Sequence, residues 1–238
     1  APAPSEPSGS GKDATAPAPA GSDEPRGPAP PGPGDVPPTH FEGREIAQTM
    51  SFVGAGWLTR ANRDEEEDTT RLHQALGLRP GQTACDVGAG NGYHTIRMAR
   101  AVGPTGRVIA VDLQPQMLEM LRARVDEAGL HNVETIEARP GDPRLPEGAC
   151  DLVLLVDVYH ELAWPEPMLA AFRRSLSPTG RVALVEFRAE DPEVPIKRLH
   201  KMSKAQIERE FGSRGFALAG SFDELPWQHL MFYERDDG

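Results

Sequence analysis

Asp86-Val-Gly88-Ala-Gly90-Asn-Gly92 follows directly on a short apolar run, residues 83–87, and opens a segment of helical spacing from Tyr93 to Val102. Glycines between a strand and a helix let the backbone pass close to a ligand without a Cβ in the way. The free N–H groups at the helix start attract a carboxylate or phosphate. The dinucleotide fingerprint is Gly-x-Gly-x-x-Gly. Here the third glycine comes one residue early, and Tyr93 stands where that glycine is expected. The turn therefore points to a nucleoside-bearing ligand while its spacing speaks against a nicotinamide dinucleotide.

Working outward, strand and helix patterns alternate. Residues 107–111 predict a second strand and 115–128 a helix, with Pro115 in its first turn and Gly129 closing it. Residues 133–138 predict a third strand. Asp151-Leu-Val-Leu-Leu-Val156 is a near-continuous apolar run of the kind a strand covered on both faces shows. A helix over 166–175 and a fifth strand over 181–187 follow. A helix over 204–213 then leads into two runs, 216–222 and 227–233, which suggest an antiparallel hairpin at the sheet edge. Such alternation predicts an α/β fold, Rossmann-like and doubly wound: a mostly parallel seven-stranded sheet with an antiparallel edge strand and helices on both faces.

Upstream, Ile46, Met50 and Val53 keep helical spacing, so residues 39–78 are expected to form a helical cover. The acidic run Asp64 to Asp68 is expected to be a solvated helix face. Half of the 24 prolines fall within residues 1–38, a Pro/Ala-rich stretch with hardly any large apolar side chain. It is expected to be a disordered leader, leaving residues 39–238 as one domain. The leader suits either the segment behind a cleaved signal peptide or a cytosolic linker, so the compartment stays open between export and cytoplasm.

The formal net charge of −11, without a clustered basic stripe, disfavours a nucleic-acid partner. No apolar run approaches the length of a membrane span. Cys85 and Cys150 each sit just inside a predicted core strand and are expected to be buried reduced thiols, a disulfide between them being the alternative.

Acidic residues end the other strands as well. Asp112 closes the second strand, about 20 residues beyond the glycines, where a carboxylate accepts from ribose hydroxyls. Asp142 follows the third strand and Asp157 ends the fourth. Single loop aspartates are ordinary turn or cap residues, but these share the carboxyl ends of parallel strands, where open α/β sheets bind ligands. The stretch from Gly81 to Phe187 resembles the core of class I S-adenosylmethionine-dependent methyltransferases. VGAGNG resembles their motif I, VIAVDLQPQML motif II, ARPGDPRLP motif III and CDLVLLVDVYHE motif IV. The wider resemblance is to a branch of bacterial methyltransferases, some of them exported. It implies S-adenosyl-L-methionine as cofactor and donor-binding roles for Asp86, Gly88, Ala89, Gly90, Gly92, Asp112, Leu113, Met117, Asp142 and Asp157. Gly88 and Gly90 would border the methionine part, Asp112 the ribose, Asp142 the adenine, and Leu113 and Met117 would pack on the base.

The acceptor side rests on fewer residues. Tyr159, His160 and Glu161 follow the fourth strand, where this family places substrate-facing groups, and are the catalytic candidates. His160 has a pKa suited to general-base work. Arg188, Lys197 and His200 lie in the loop after the fifth strand and are candidates for an anionic substrate, a solvated loop with internal ion pairs being the plainer alternative. Joining His160, Glu161 and His200 as metal ligands finds no support in their spacing, and no metal is expected. Trp57 and Trp164 are expected to pack in the core or on the surface, an aromatic wall over the acceptor being the alternative. The expected activity is methyl transfer to a small-molecule substrate. The alternatives are a protein methyltransferase, a non-catalytic S-adenosylmethionine-binding module, and, least favoured, a nicotinamide-dependent oxidoreductase.

Overall fold

The structure is a computed structural model and describes residues 27–238, so the first 26 residues of the expected leader lie outside the described residues. The strands are β1 (His40–Phe41), β2 (Arg44–Glu45), β3 (Thr83–Val87), β4 (Arg107–Asp112), β5 (Val133–Glu137), β6 (Cys150–Val156), β7 (Leu176–Arg188), β8 (Lys201–Met202), β9 (Phe216–Phe222) and β10 (Gln228–Arg235). The α-helices are α1 (Arg63–Glu67), α2 (Thr69–Leu76), α3 (Tyr93–Val102), α4 (Pro115–Glu127), α5 (Pro165–Ser175) and α6 (Lys204–Gly212).

Seven strands form the sheet in the order β5-β4-β3-β6-β7-β10-β9, with the two-residue β8 added beside β7. β3, β4, β5, β6 and β7 run parallel, while β10 is antiparallel to both β7 and β9 and closes that side of the sheet as a hairpin. The chain moves outward from β3 to β5 and returns to place β6 on the other side of β3. That reversal leaves a crevice above the carboxyl ends of β3 and β6.

Side-chain alternation along the strands divides the core between the two faces. Cys85, Ile109, Val153, Leu155 and Leu184 face a cluster completed by Leu169 and Phe172 of α5 and Ile207 and Phe211 of α6. Ala84, Val108, Leu152, Leu154 and Ala183 face the opposite cluster with Leu72 and Leu76 of α2 and Met98 and Val102 of α3. Both faces are sealed by helices, which is why β6 reads as an unbroken apolar run.

Two expectations need correction. Residues 39–51 are not helical: β1 and β2 form a small antiparallel pair around a Glu42-Gly43 turn, in which both residues have positive φ. The regular cover starts later, as a 3-10 stretch Phe52–Thr59 followed by α1 and α2. Spacing alone suggested a helix, but the left-handed turn at Gly43 prevents one. The cysteines are not free thiols. Cys85 and Cys150 are joined as a disulfide with a Cα–Cα distance of 6.0 Å, deep in the apolar cluster that α5 and α6 cover. Among the described residues no helix is long and apolar enough to cross a membrane.

The disulfide closes a loop of 65 residues between two core strands. On the chain-entropy account such a loop contributes roughly 4 kcal/mol to stability. Denaturant unfolding with and without reductant should therefore differ by a shift of that order in unfolding free energy. Superimposable curves, with the thiols shown to be reduced, would remove the cross-link from the account of stability.

Candidate active site

A single cavity of about 1260 Å³ occupies the crevice at the strand-order reversal. Its floor is the carboxyl ends of the sheet: Val87 and Gly88, Val111 and Asp112, Ala138, Val156 and Asp157, and Phe187. One end is built from the glycine turn. Gly88 has φ +70°, and a Cβ there would lie 2.5 Å from a Val158 methyl. The turn is fixed by its own backbone, Gly88 N and Ala89 N donating to Val111 O at 2.8 and 3.0 Å. Asp112 then uses one oxygen to accept from Gly90 N at 2.9 Å and the other to accept from Gln114 N at 2.9 Å. Burial pushes its carboxyl up, and the backbone N–H groups oppose that shift.

Leu113, Met117 and Asp142 line the same end. The Asp142 carboxylate accepts from Arg144 N at 2.8 Å, and its backbone bridges to Arg139. Asp157 sits at φ +54°. Gln228 donates to its Oδ2 at 2.6 Å, whereas its buried Oδ1 has no hydrogen-bond partner among the described residues. Burial drives this carboxyl well upward, and the Glu67 and Glu186 carboxylates add to the shift. A bent backbone holding an unpaired acceptor at a cavity wall is a pattern found at ligand sites.

Three of the expected donor residues work from behind the wall. Asp86 is buried and accepts from Thr95 Oγ1 at 2.5 Å; burial lifts its carboxyl to about 6 despite that bond. Ala89 packs in a core cluster with Ile96 and Leu121. Gly92 caps α3, and a Cβ there would strike Leu121. These positions shape the turn instead of bordering the cavity.

The far end of the cavity carries His160, Glu161, Lys197 and His200, together with Trp164, Met168 and Ile196. His160 is 2% exposed. Its Nδ1 lies 2.6 Å from Glu186 Oε2, its backbone N donates to Glu186 Oε1 at 3.2 Å, and its Nε2 lies 3.1 Å from His200 Nδ1. Burial disfavours the His160 imidazolium, but Glu186 outweighs burial and the net shift is upward. His200 is shifted downward by burial and by the neighbouring His160 and Lys197. Burial pushes Glu161 up to about 7, against the pull of His160; its Oε2 accepts from Met50 N at 3.0 Å.

Two acceptor-side candidates stand elsewhere. Tyr159 is fully buried, and its hydroxyl donates to Glu210 at 2.7 Å, beneath an Arg44–Glu210 ion pair. In a helical turn its neighbour His160 takes the cavity-facing position, so the expected catalytic role for Tyr159 is withdrawn. Arg188 is not a cavity residue, because its guanidinium donates to the carbonyls of Asp223, Leu225 and Pro226 in the loop between β9 and β10. Its expected substrate role is withdrawn too. Trp57 and Trp164 do face the cavity, contrary to the packing role expected for them.

The structure also adds residues that sequence reasoning missed. Arg60, Arg63 and Glu67 line the cavity from the N-terminal cover. Glu67 is 1% exposed and accepts from Arg60 Nη2 at 2.6 Å and Arg63 Nε at 2.9 Å. The acidic run is thus only partly a solvated face. The available signal was Arg63 four residues ahead of Glu67, an ion-pairing offset on a helix; Arg60, seven residues ahead of Glu67 and outside α1, gave none. Residues 30–35 and Pro37, within the stretch expected to be a disordered leader, also border the cavity.

A doubly wound sheet with a glycine turn after its first core strand and acidic residues at the switch-point strand ends is a Rossmann-like nucleoside-binding architecture. Residues 84–180 match the family model described as a methyltransferase domain, so this part of the chain is a methyltransferase domain. The chain is similar to the ubiquinone/menaquinone biosynthesis C-methyltransferase UbiE of Salmonella paratyphi B, 33% identical over 161 residues, which are 67% of this chain and 64% of that protein. An uncharacterized 37.1 kDa protein in transposon TN4556 of Streptomyces fradiae is 36% identical over 115 residues, 47% of this chain and 32% of that protein. The chain thus spans between about a third and two thirds of these curated relatives. Among solved structures, an S-adenosylmethionine-dependent methyltransferase from Aquifex aeolicus superposes with a TM-score of 0.73 at 22% identity, over 78% of this chain and 98% of that one.

Asp112→Ala removes the acceptor of two backbone hydrogen bonds at the glycine turn. Bonds to a charged group contribute roughly 1.5–3 kcal/mol each, so calorimetric affinity for S-adenosylhomocysteine should fall at least about tenfold, with the circular dichroism of the fold retained. Unchanged affinity would detach Asp112 from the ligand site.

Proposed function

We propose that the protein transfers the methyl group of S-adenosylmethionine to a small-molecule acceptor bound in the same cavity. The observation that carries this reading is the size and two-ended make-up of that cavity. Its volume of about 1260 Å³ exceeds the roughly 300–1,000 Å³ usual for one small ligand, and its two ends differ in chemistry.

At the first end the residues fit the donor. Gly88 and Gly90 border the space for the methionine part, and a Cβ at either would strike Val158 or Leu58 beside it. The unpaired Asp157 Oδ1 suits its ammonium group. The lone pairs of Asp112 not engaged by Gly90 and Gln114 would take the ribose hydroxyls. Leu113 and Met117 would flank the adenine, and Asp142 would meet its amino group. The donor supplies an electrophilic methyl on a positively charged sulfur, and transfer is an in-line displacement. The protein's main task is then alignment and exclusion of water. Trp57, Leu58, Met50 and residues 30–35 border the cavity from the N-terminal side and would provide that cover.

At the second end Trp164, Met168, Phe187 and Ile196 would hold an apolar body, with Lys197 beside it for an anionic substituent. His160 and Glu161 stand nearest to where the acceptor's reactive atom would lie. The Salmonella relative is named as a C-methyltransferase.

The test is to incubate the protein with methyl-labelled donor and fractionated cell extract. The label should enter the low-molecular-mass fraction and be lost in the Gly88→Ala variant, whose new Cβ collides with Val158. Label recovered in protein alone would replace this acceptor class with a polypeptide, and label in neither fraction would count against transfer.

A further inference from the structure

We infer that His160, Glu161 and His200 form a binding site for one divalent transition-metal ion at the acceptor end of the cavity, with His160 Nε2, His200 Nδ1 and a Glu161 carboxylate oxygen as ligands. The inference deepens the proposed function and rests on it for what the ion does, though not for whether the ion binds. The three ligand atoms lie within 4.8 Å of one another, and all three residues line the cavity.

The separation between the two ring nitrogens is the most informative distance. They stand 3.1 Å apart. Ligand atoms at the roughly 2.0–2.1 Å of zinc–nitrogen bonds, in a tetrahedral arrangement, are separated by about 3.3 Å. The observed value is therefore close to one edge of a coordination polyhedron. The rings meet edge to face, at 78°, so each presents a nitrogen to the same point without stacking.

The surroundings match what a metal-binding histidine needs. His160 Nδ1 lies 2.6 Å from a fully buried carboxylate, Glu186, which fixes the ring so that Nε2 carries the lone pair. A carboxylate–histidine–metal relay of this form orients the ring and raises its basicity. Nε2 then faces His200 Nδ1. Glu161 contributes the negative charge, with one oxygen tied to Met50 N and the other available to a ligand. Two histidines and one carboxylate leave at least one position open, as in catalytic zinc and non-haem iron sites. That open position would face the acceptor and lower the pKa of its hydroxyl or thiol, the proton passing to solvent water; the resulting oxygen or sulfur would bond to the methyl group as the sulfonium S–C bond breaks and S-adenosylhomocysteine leaves. A plain hydrogen bond between the histidines would account for the 3.1 Å contact but leaves Glu161 and its shared focus without a purpose.

The experiment uses the full chain without a polyhistidine tag, stripped with chelator and then loaded with Zn²⁺ or Co²⁺. After dialysis, elemental analysis should give about one ion per chain, and the Co²⁺ form should show the visible absorption of a tetrahedral or five-coordinate site. His200→Ala and Glu161→Gln should each weaken metal binding beyond the roughly 10–100-fold loss expected from removing an outer-shell partner. Glu186→Gln should give a loss within that range. If Glu186→Gln fails to fold, the other two variants decide, since His200 and Glu161 are not fully buried. No retained ion, or equal binding in wild type, His200→Ala and Glu161→Gln, overturns the site. Calorimetry with S-adenosylhomocysteine on the same samples separates the two ideas. Donor-product binding without metal overturns only the metal site, whereas metal binding without donor-product binding overturns methyl transfer and leaves the site standing.

Discussion

The Asp112 carboxylate holds the site together, because each of its oxygens ties down a different loop. One accepts from Gly90 in the glycine turn after β3, the other from Gln114 at the start of α4. The Gln114 side chain passes the constraint on: it donates to Met50 O at 2.9 Å and accepts from Phe52 N at 2.8 Å. Met50 N in turn reaches Glu161 at the opposite end of the cavity. A short series of hydrogen bonds therefore runs from the nucleoside end, through the N-terminal cover, to the acceptor end. The bonds to Asp112 and Glu161 are charge-assisted, while the Gln114 bonds to Met50 and Phe52 are neutral amide bonds, the Phe52 one exposed, so the cover is tied to both ends by a thin set of contacts.

The parallel core was legible because its causes are local. A strand sealed on both faces must be apolar throughout, and Asp151 to Val156 shows that; a helix start with glycines and an acidic strand end carry their own spacing. The acceptor end was not legible in the same way. His160 is separated from Glu186 by 26 positions and from His200 by 40, and no periodicity links them. The adjacency of β6 and β7 brings His160 to Glu186, and the pairing of β8 beside β7 brings in His200. Likewise Glu67 looked like one acid in a run, and became a buried partner of Arg60 and Arg63 only through the way α1 folds over the cavity. Tyr159 and Arg188 went the other way: both have functional chemistry, and both are consumed by structural hydrogen bonds. The disulfide was hidden for a related reason. Buried cysteines satisfy the apolar pattern of a strand whether oxidised or reduced, so pattern carries no information on the bond.

The cavity is also defined by its field. Asp112, Asp157 and Glu161 border it, and burial shifts all three carboxyls upward. Carboxylates gathered where solvation is poor disfavour an anion and favour a cation, since charge interactions strengthen as the effective dielectric falls. Partial compensation is already present on each side, from Arg63 near Asp157 and from His160 near Glu161. What remains suits a ligand that brings positive charge to the centre. The methyl donor does so through its sulfonium, and loses that charge when the methyl leaves. The same field that holds the donor therefore holds its product less tightly, so the electrostatics that assemble the complex also favour its release.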